Sequence, residues 1–398
     1  FLYSRRWMAT TQDQAAAFTA EGRQGVVRLK MPRTGTLELD DLVRGRVQFE
    51  WAAEQDHVIQ RADGSCLYHL ASVVDDHDFE ITHVIRAEEH LSNTPRQIFI
   101  AQSLGWQPPA FAHLPYVAEP GSRNKLSKRK LDKYLKNPDF QQLNQRGCAI
   151  AAAIGLPTAA DTFNPVIIDF YQQVGFLPEA LVNYLLLLGW SLDERTEEFT
   201  REEMIRQFRL EKVNKAPASF DPAKLMAFQQ RYMNHLDPKK KTALVLPYLQ
   251  KAGYVPQPAP CATGPRLQQI VIAAGDRLKV AGDILDYAEF FTADDQLAYD
   301  EKAVQKRLCK PGASELLGRF RQQLAEVEPF DASTTEAALR AFLETERIKI
   351  GDIIHALRVA VTGKAVGLGM FDALAILGKP ASLARIDLAL EKVGPRPS

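Results

Sequence analysis

The stretch from Tyr68 to Tyr116 constrains this chain most. Leu67, Leu70, Val73 and Val74 share one helical face, so the spacing predicts a helix from Tyr68 to about Asp76. Ile81-Thr82-His83-Val84-Ile85 is a β-branched run of the kind that lies buried in a parallel sheet. Thr94, Pro95 and Gln97 then predict a second helix, with Thr94 as N-cap, Pro95 at the first position and Gln97 closing a capping box. Gly105 ends it, and Phe111 to Tyr116 reads as the next strand. Helix, strand, helix, strand is half of a doubly wound sheet. Ligands of such sheets gather beyond the carboxyl ends of strands. Arg86-Ala87-Glu88-Glu89-His90 and the basic run Arg123 to Lys133 each follow a strand.

The rest of the chain divides around this α/β stretch. Upstream it is β-rich: an Ala-rich helix over Gln12–Gly22, a strand over Gly25–Met31, then a hairpin from Thr36–Asp41 and Arg44–Phe49, and a strand at Val58–Arg61. Residues 136–165 read as irregular, because Asn137-Pro138, Gly155-Leu156-Pro157 and Asn164-Pro165 interrupt them. Downstream the chain turns helical, and from Lys239 on the pattern is almost all helix. Thr200 with Glu203, Asp221-Pro222, and Ser333 with Glu336 mark helix starts. Further helices are expected over Gly351–Val361, Met370–Leu377 and Ala381–Lys392.

Charge decides what such a chain can bind. Lysine plus arginine equals aspartate plus glutamate at 49 each, so a uniformly basic nucleic-acid-binding body is excluded and only local patches remain. The four cysteines, Cys66, Cys148, Cys261 and Cys309, form no Cys-x-x-Cys pair. That spacing argues against structural zinc and for a reducing, cytoplasmic setting. No apolar run reaches the roughly 18 residues that span a bilayer.

Several of these segments resemble one family, the bacterial glutamyl-tRNA synthetases of class I. They are Asp40-Asp41-Leu42-Val43-Arg44-Gly45, Asp63-Gly64 through Tyr68-His69-Leu70-Ala71, and Ile81-Thr82-His83-Val84-Ile85-Arg86-Ala87-Glu88-Glu89-His90 with Leu91 to Pro95. Lys125-Leu126-Ser127-Lys128-Arg129 is similar to the family's variant of the Lys-Met-Ser-Lys-Ser signature. Gly175 to Leu181, Ala218 to Asp221 and Ala356 to Gly363 also fit. The resemblance implies α/β plus all-α architecture: a partial class I Rossmann catalytic domain, then helical stem-contact and anticodon-binding domains. The implied division is 1–63, the remainder of a connective, acceptor-binding insertion; 64–135, the second half of the Rossmann domain; 136–164, an inserted segment; 165–255, stem contact; and 256–398, anticodon binding. The family's His-Ile-Gly-His signature is not in this sequence, so the expectation is a chain that lacks that N-terminal segment.

The resemblance also implies roles. Tyr68, Ser72 and Arg86 would bind glutamate, with Ser72 standing where the family often has Asn. By itself Arg86 reads equally as a surface arginine paired with Asp75 or Asp76, and Tyr68 as a half-buried aromatic. Glu89, His90, Lys125, Leu126, Ser127 and Lys128 would hold ATP, with Lys125 and Lys128 meeting the charge of the reacting phosphates. The implied cofactor is ATP with Mg²⁺, no protein-bound metal is expected, and the implied partners are tRNA(Glu) and glutamate, with a monomeric chain. Lys239-Lys240-Lys241, Arg347, Lys349, Arg358 and Lys364 are candidate tRNA contacts, or simply solvated helix faces. The implied function is a glutamate–tRNA ligase. Two alternatives stand beside it: a non-catalytic tRNA-binding fragment or paralogue, and a short synthetase-like enzyme that modifies a tRNA base, which the long helical C-terminus argues against.

Overall fold

Asp41, near the end of a predicted strand, organises the first half of the fold. Strands β2 (Thr36–Asp41) and β3 (Gly45–Glu50) form the expected hairpin, with Thr36 opposite Glu50 and Asp41 opposite Gly45. The Asp41 carboxylate accepts the backbone N–H of Val43 at 3.0 Å and of Arg44 at 2.8 Å, which folds the turn. Gly45 closes it at φ +76°, a left-handed conformation that costs a residue with a Cβ.

The computed structural model describes residues 3–394. Phe1 and Leu2, part of the N-terminal reading, and residues 395–398 of the assigned anticodon-binding domain lie outside the described residues. The chain divides into two compact units, 1–126 with 183–220, and 127–182 with 221–398.

The first unit carries the α/β stretch. After helix α1 (Gln12–Ala20), strands β1 (Val27–Arg28) and β4 (Val58–Gln60) pair antiparallel, so only two residues of the predicted Gly25–Met31 strand are in a ladder. Helix α2 (Tyr68–Asp78), strand β5 (His83–Ala87), helix α3 (Thr94–Ser103) and strand β6 (Ala110–Leu114) follow in the predicted order. β5 and β6 are parallel, with Arg86 directly opposite His113. β7 (Val117–Ala118) pairs parallel with β8 (Ala218–Ser219). Val73 of α2 and Ile100 and Ala101 of α3 pack with Leu29, Met31 and Trp51. Ile98 and Phe111 pack with Leu39, which holds the hairpin against the parallel pair. Burying each large apolar side chain contributes about 1.5–3 kcal/mol. The Leu42 N–H donates to the Phe111 carbonyl at 2.9 Å and fixes the hairpin turn beside β6.

Two expectations for this unit need correction. The Ile81–Ile85 run is not buried on both faces, since Ile81, His83 and Ile85 are exposed. Among the described residues β5 has β6 as its ladder partner, so only one edge is covered and the Val84 side packs on the core. The capping box at Thr94 does not form either. α3 already begins at Thr94, and the Thr94 hydroxyl accepts from Arg86 instead. The Thr200–Glu203 box does form, at the start of the helix Arg201–Gln207.

The second unit is helical. Residues 136–165, expected to be irregular, contain a helix over Pro138–Ala153. The Asn137 side chain accepts the Phe140 N–H at 3.0 Å and Pro138 sits in the first turn, so Asn-Pro acts here as a helix start rather than a loop marker. Phe140, Leu143, Gly147, Ile150 and Ala151 form its buried face. Asp221 caps Pro222–His235 as predicted, whereas the helix Ala332–Glu346 is capped by Asp331 rather than Ser333. Helices Ile354–Thr362, Met370–Leu377 and Lys379–Val393 match the expected C-terminal segments. Leu267, Ile270, Leu317, Phe320, Leu339, Leu357 and Ile386 are fully buried in this unit.

Gly363 gives a direct test of the helical core. It ends Ile354–Thr362 at φ +74°, and a Cβ there would lie 2.1 Å from the Ala298 carbonyl oxygen. Gly363→Ala combines a left-handed conformation with a backbone clash, and is expected to cost about 3 kcal/mol in chemical denaturation of the helical unit. A variant that unfolds at the parental denaturant concentration would contradict this packing.

Candidate active site

Arg86 reaches its position because β5 and β6 are in register. Opposite it, His113 is buried with no exposed surface, and Asp41 from the hairpin is 3% exposed. The Asp41 carboxylate lies 2.6 Å from His113 Nδ1 and also accepts the His113 backbone N–H at 3.1 Å. Nδ1 therefore carries the proton, and Nε2 is left as an acceptor. Arg86 Nε donates to that Nε2 at 3.0 Å, and Arg86 Nη2 donates to the Thr94 hydroxyl at 2.8 Å. The Thr94 hydroxyl is 3.2 Å from Nε2. The guanidinium also lies over the Phe111 ring, 5.5 Å from its centroid.

Electrostatics follow from this burial. Burial alone would raise the Asp41 carboxyl, but hydrogen bonds from the Arg44 N–H, the His113 ring, and the His113 and Val43 N–H groups hold it below the usual range. Burial lowers the His113 imidazole against the pull of Asp41, so the ring stays neutral. Burial likewise lowers Arg86, opposed by the neighbouring Tyr68 and by the charge of Asp76. An arginine stays charged through such a shift.

The structure brings several predicted residues together. Tyr68 stands at the first position of α2 beside the guanidinium, and Ser72 lies one helical turn further on the same helix. Beyond β5, Glu89 makes an ion pair with Lys125, which lowers the Glu89 carboxyl. His90 Nε2 is 3.7 Å from Glu89, and its Nδ1 is 3.3 Å from Asn93. Glu88 pairs with Arg44 of the hairpin turn, which ties that turn to the end of β5. The Leu126 N–H donates to the Val117 carbonyl at 2.9 Å.

The division between units falls inside the lysine signature, after Leu126. In the second unit the Ser127 N–H donates to the Tyr134 hydroxyl at 3.0 Å, and Lys128 and Arg129 are exposed on the single turn Lys128–Lys130. Among the described residues no three His, Cys, Asp or Glu side chains converge as a metal cage. No helix there is long and apolar enough to cross a membrane.

The basic residues of the helical unit divide into two groups. Lys239, Lys240, Arg347 and Lys349 are exposed. Lys241 is 7% exposed, and burial lowers its ammonium. Arg358 Nη1 donates to the Leu368 carbonyl at 2.5 Å, and Lys364 pairs with Glu289 at 2.7 Å. Lys241 is therefore buried within the unit, while Arg358 and Lys364 are partly exposed and already hold partners there. Helical spacing turns Lys241 away from its two neighbours.

Sequence reasoning did not assign a site role to His113, Asp41 or Thr94. The one available signal was a histidine inside the strand segment Phe111-Ala112-His113-Leu114, where apolar residues are expected.

The family described as tRNA synthetases class I (E and Q), catalytic domain, matches residues 2–158 and 162–227, and one described as anticodon binding domain matches 240–390. The chain belongs to this class I family for glutamate and glutamine. It is 37% identical to a glutamate–tRNA ligase of Moorella thermoacetica over 98% of this chain and 72% of that protein. A glutamate–tRNA ligase of Bradyrhizobium is 38% identical over 90% of this chain and 69% of its own length. A glutamate–tRNA ligase of Elizabethkingia meningosepticum, solved with its amino acid, superposes with a TM-score of 0.78 at 26% identity, covering 99% of this chain and 74% of that one.

Proposed function

We infer that this chain is a glutamate–tRNA ligase. The observation that carries the reading is Arg86, fixed at the carboxyl end of β5 with Tyr68 alongside. A fixed guanidinium grips a carboxylate with two hydrogen bonds and discriminates against an amide of the same shape. Tyr68 and Ser72 would complete the glutamate contact. Glu89, His90, Lys125, Leu126, Ser127 and Lys128 would hold ATP, with Lys125 and Lys128 facing its phosphates.

The reaction has two steps. A glutamate carboxylate oxygen bonds to the α-phosphorus of ATP, the α–β phosphoanhydride bond breaks, and pyrophosphate leaves. The oxygen of a ribose hydroxyl at the tRNA 3′ end then bonds to the acyl carbon, the bond from that carbon to the adenylate oxygen breaks, and AMP and the hydroxyl proton leave. Positioning and charge stabilisation supply the rate. Lys125 starts paired with Glu89, so it exchanges that partner for a phosphate when nucleotide binds. Mg²⁺ would enter with the ATP phosphates and neutralise their charge, since this ion keeps few protein ligands in such sites.

The helical remainder would bind tRNA(Glu), with residues 165–255 against the stem and 256–398 at the anticodon. Lys239, Lys240, Arg347 and Lys349 are the exposed cations that fit phosphate contacts. The test is charging: tRNA(Glu), ATP and radiolabelled glutamate, with aspartate and glutamine as competitors. Glutamyl-tRNA that forms with glutamate alone supports the ligase. Salt-dependent tRNA binding without any charging would return the non-catalytic reading.

A further inference from the structure

We propose that His113 and Asp41 are positioning residues for amino-acid recognition, holding the Arg86 guanidinium through an imidazole locked in its Nδ1–H tautomer. This rests on the reading that Arg86 binds glutamate.

Arg86 has five N–H donors and no acceptor, so whatever orients it must accept. His113 Nε2 and the Thr94 hydroxyl do so at 3.0 and 2.8 Å, on adjacent donors of one edge of the guanidinium. The remaining donors are left for the Tyr68 side and a ligand carboxylate. Nε2 can accept only while Nδ1 holds the proton, and the Asp41 carboxylate at 2.6 Å enforces that. Asp41 is itself fixed by the Val43, Arg44 and His113 N–H groups, so the chain of contacts runs from the hairpin turn to the ligand-facing cation.

The charged groups facing the imidazole are Asp41 and Arg44 from the hairpin and Arg86 from β5. Arg44 is paired with Glu88, and Asp76 and Tyr68 of α2 act on Arg86. Thr94 is the neutral contact from α3. Burial keeps His113 neutral below the ordinary histidine range. Once protonated, Nε2–H would point a donor at a donor, and Arg86 would lose its seat. Glutamate affinity should therefore be flat around neutrality and fall in acid.

The test uses the full chain and two readouts. Nitrogen-15 NMR of histidine-labelled protein should show one imidazole with Nδ1 protonated and Nε2 bare, unchanged from about pH 6 to pH 8. The signal is assigned by its loss in His113→Asn. An Nε2–H tautomer, or titration at the ordinary histidine value, overturns the proposal. Calorimetric glutamate affinity, measured with tRNA(Glu) present, is the second readout. His113→Asn keeps a donor toward Asp41 but loses the acceptor for Arg86, and should weaken binding about tenfold or more. His113→Gln places an amide oxygen near Nε2, and should restore affinity to within about threefold while removing the acid fall, because an amide does not titrate. Parental affinity and pH profile in both variants would mean that the imidazole only packs. Arg86→Ala separates this inference from the one beneath it. Parental glutamate affinity in that variant overturns the glutamate role of Arg86, and with it this positioning role, even where the tautomer is as described.

Discussion

Arg86→Ala is expected to lower kcat/KM for glutamate by about a thousandfold, from two charge-assisted hydrogen bonds worth about 4 kcal/mol together. Most of the loss should appear in KM, because the carboxylate grip exists before the phosphoryl chemistry begins. The fold should survive. Thr94 and His113 remain 3.2 Å apart and can bond to each other once the guanidinium is gone. Arg86→Lys should recover little, since an ammonium restores the charge but cannot donate to His113, Thr94 and a ligand in one plane. Steady-state charging across glutamate concentrations checks this. An unchanged KM in Arg86→Ala would place the glutamate carboxylate elsewhere.

Lys128→Ala should give the opposite pattern. Its turn is exposed and follows Ser127, whose N–H is held by the Tyr134 hydroxyl. A lysine that meets charge only as the α-phosphate is attacked contributes to kcat, so turnover should fall about a hundredfold or more. KM for glutamate should stay within about threefold, as Lys128 would not touch the amino acid. A rise in KM with turnover intact would refute this role. Lys125 differs because it begins in an ion pair with Glu89. Part of its gain with nucleotide is offset by the carboxylate left behind, so Lys125→Ala should act mainly on the KM for ATP.

Much of this site is legible in the sequence. Arg86, Glu89 and His90 follow a β-branched run, and the lysine signature follows the next strand, so their place beyond strand ends could be read from order alone. The Thr36–Phe49 hairpin and the helix from Tyr68 were equally plain, because alternation and helical spacing are local properties. The misreadings were also local. Asn137-Pro138 is both a turn marker and a helix start, and only the buried face of Pro138–Ala153 decides between them. Thr94 carries a capping hydroxyl, but a guanidinium eight residues upstream competes for it.

What the sequence by itself determined is the order of elements from Thr36 to Leu114 and the chemistry carried at their ends, since both rest on neighbours a few residues apart. What only the tertiary structure decided is which of those groups meet. Asp41 is 72 residues from His113, and His113 is 27 from Arg86. No local pattern links them, and they come together because β5 and β6 pair in one register and the hairpin turn docks beside β6. The same packing leaves Lys239 and Lys240 in solvent while burying Lys241, and seats Arg358 and Lys364 on partners within the helical unit. Burial and register are properties of the assembled chain, and they turn a run of candidate residues into an oriented site.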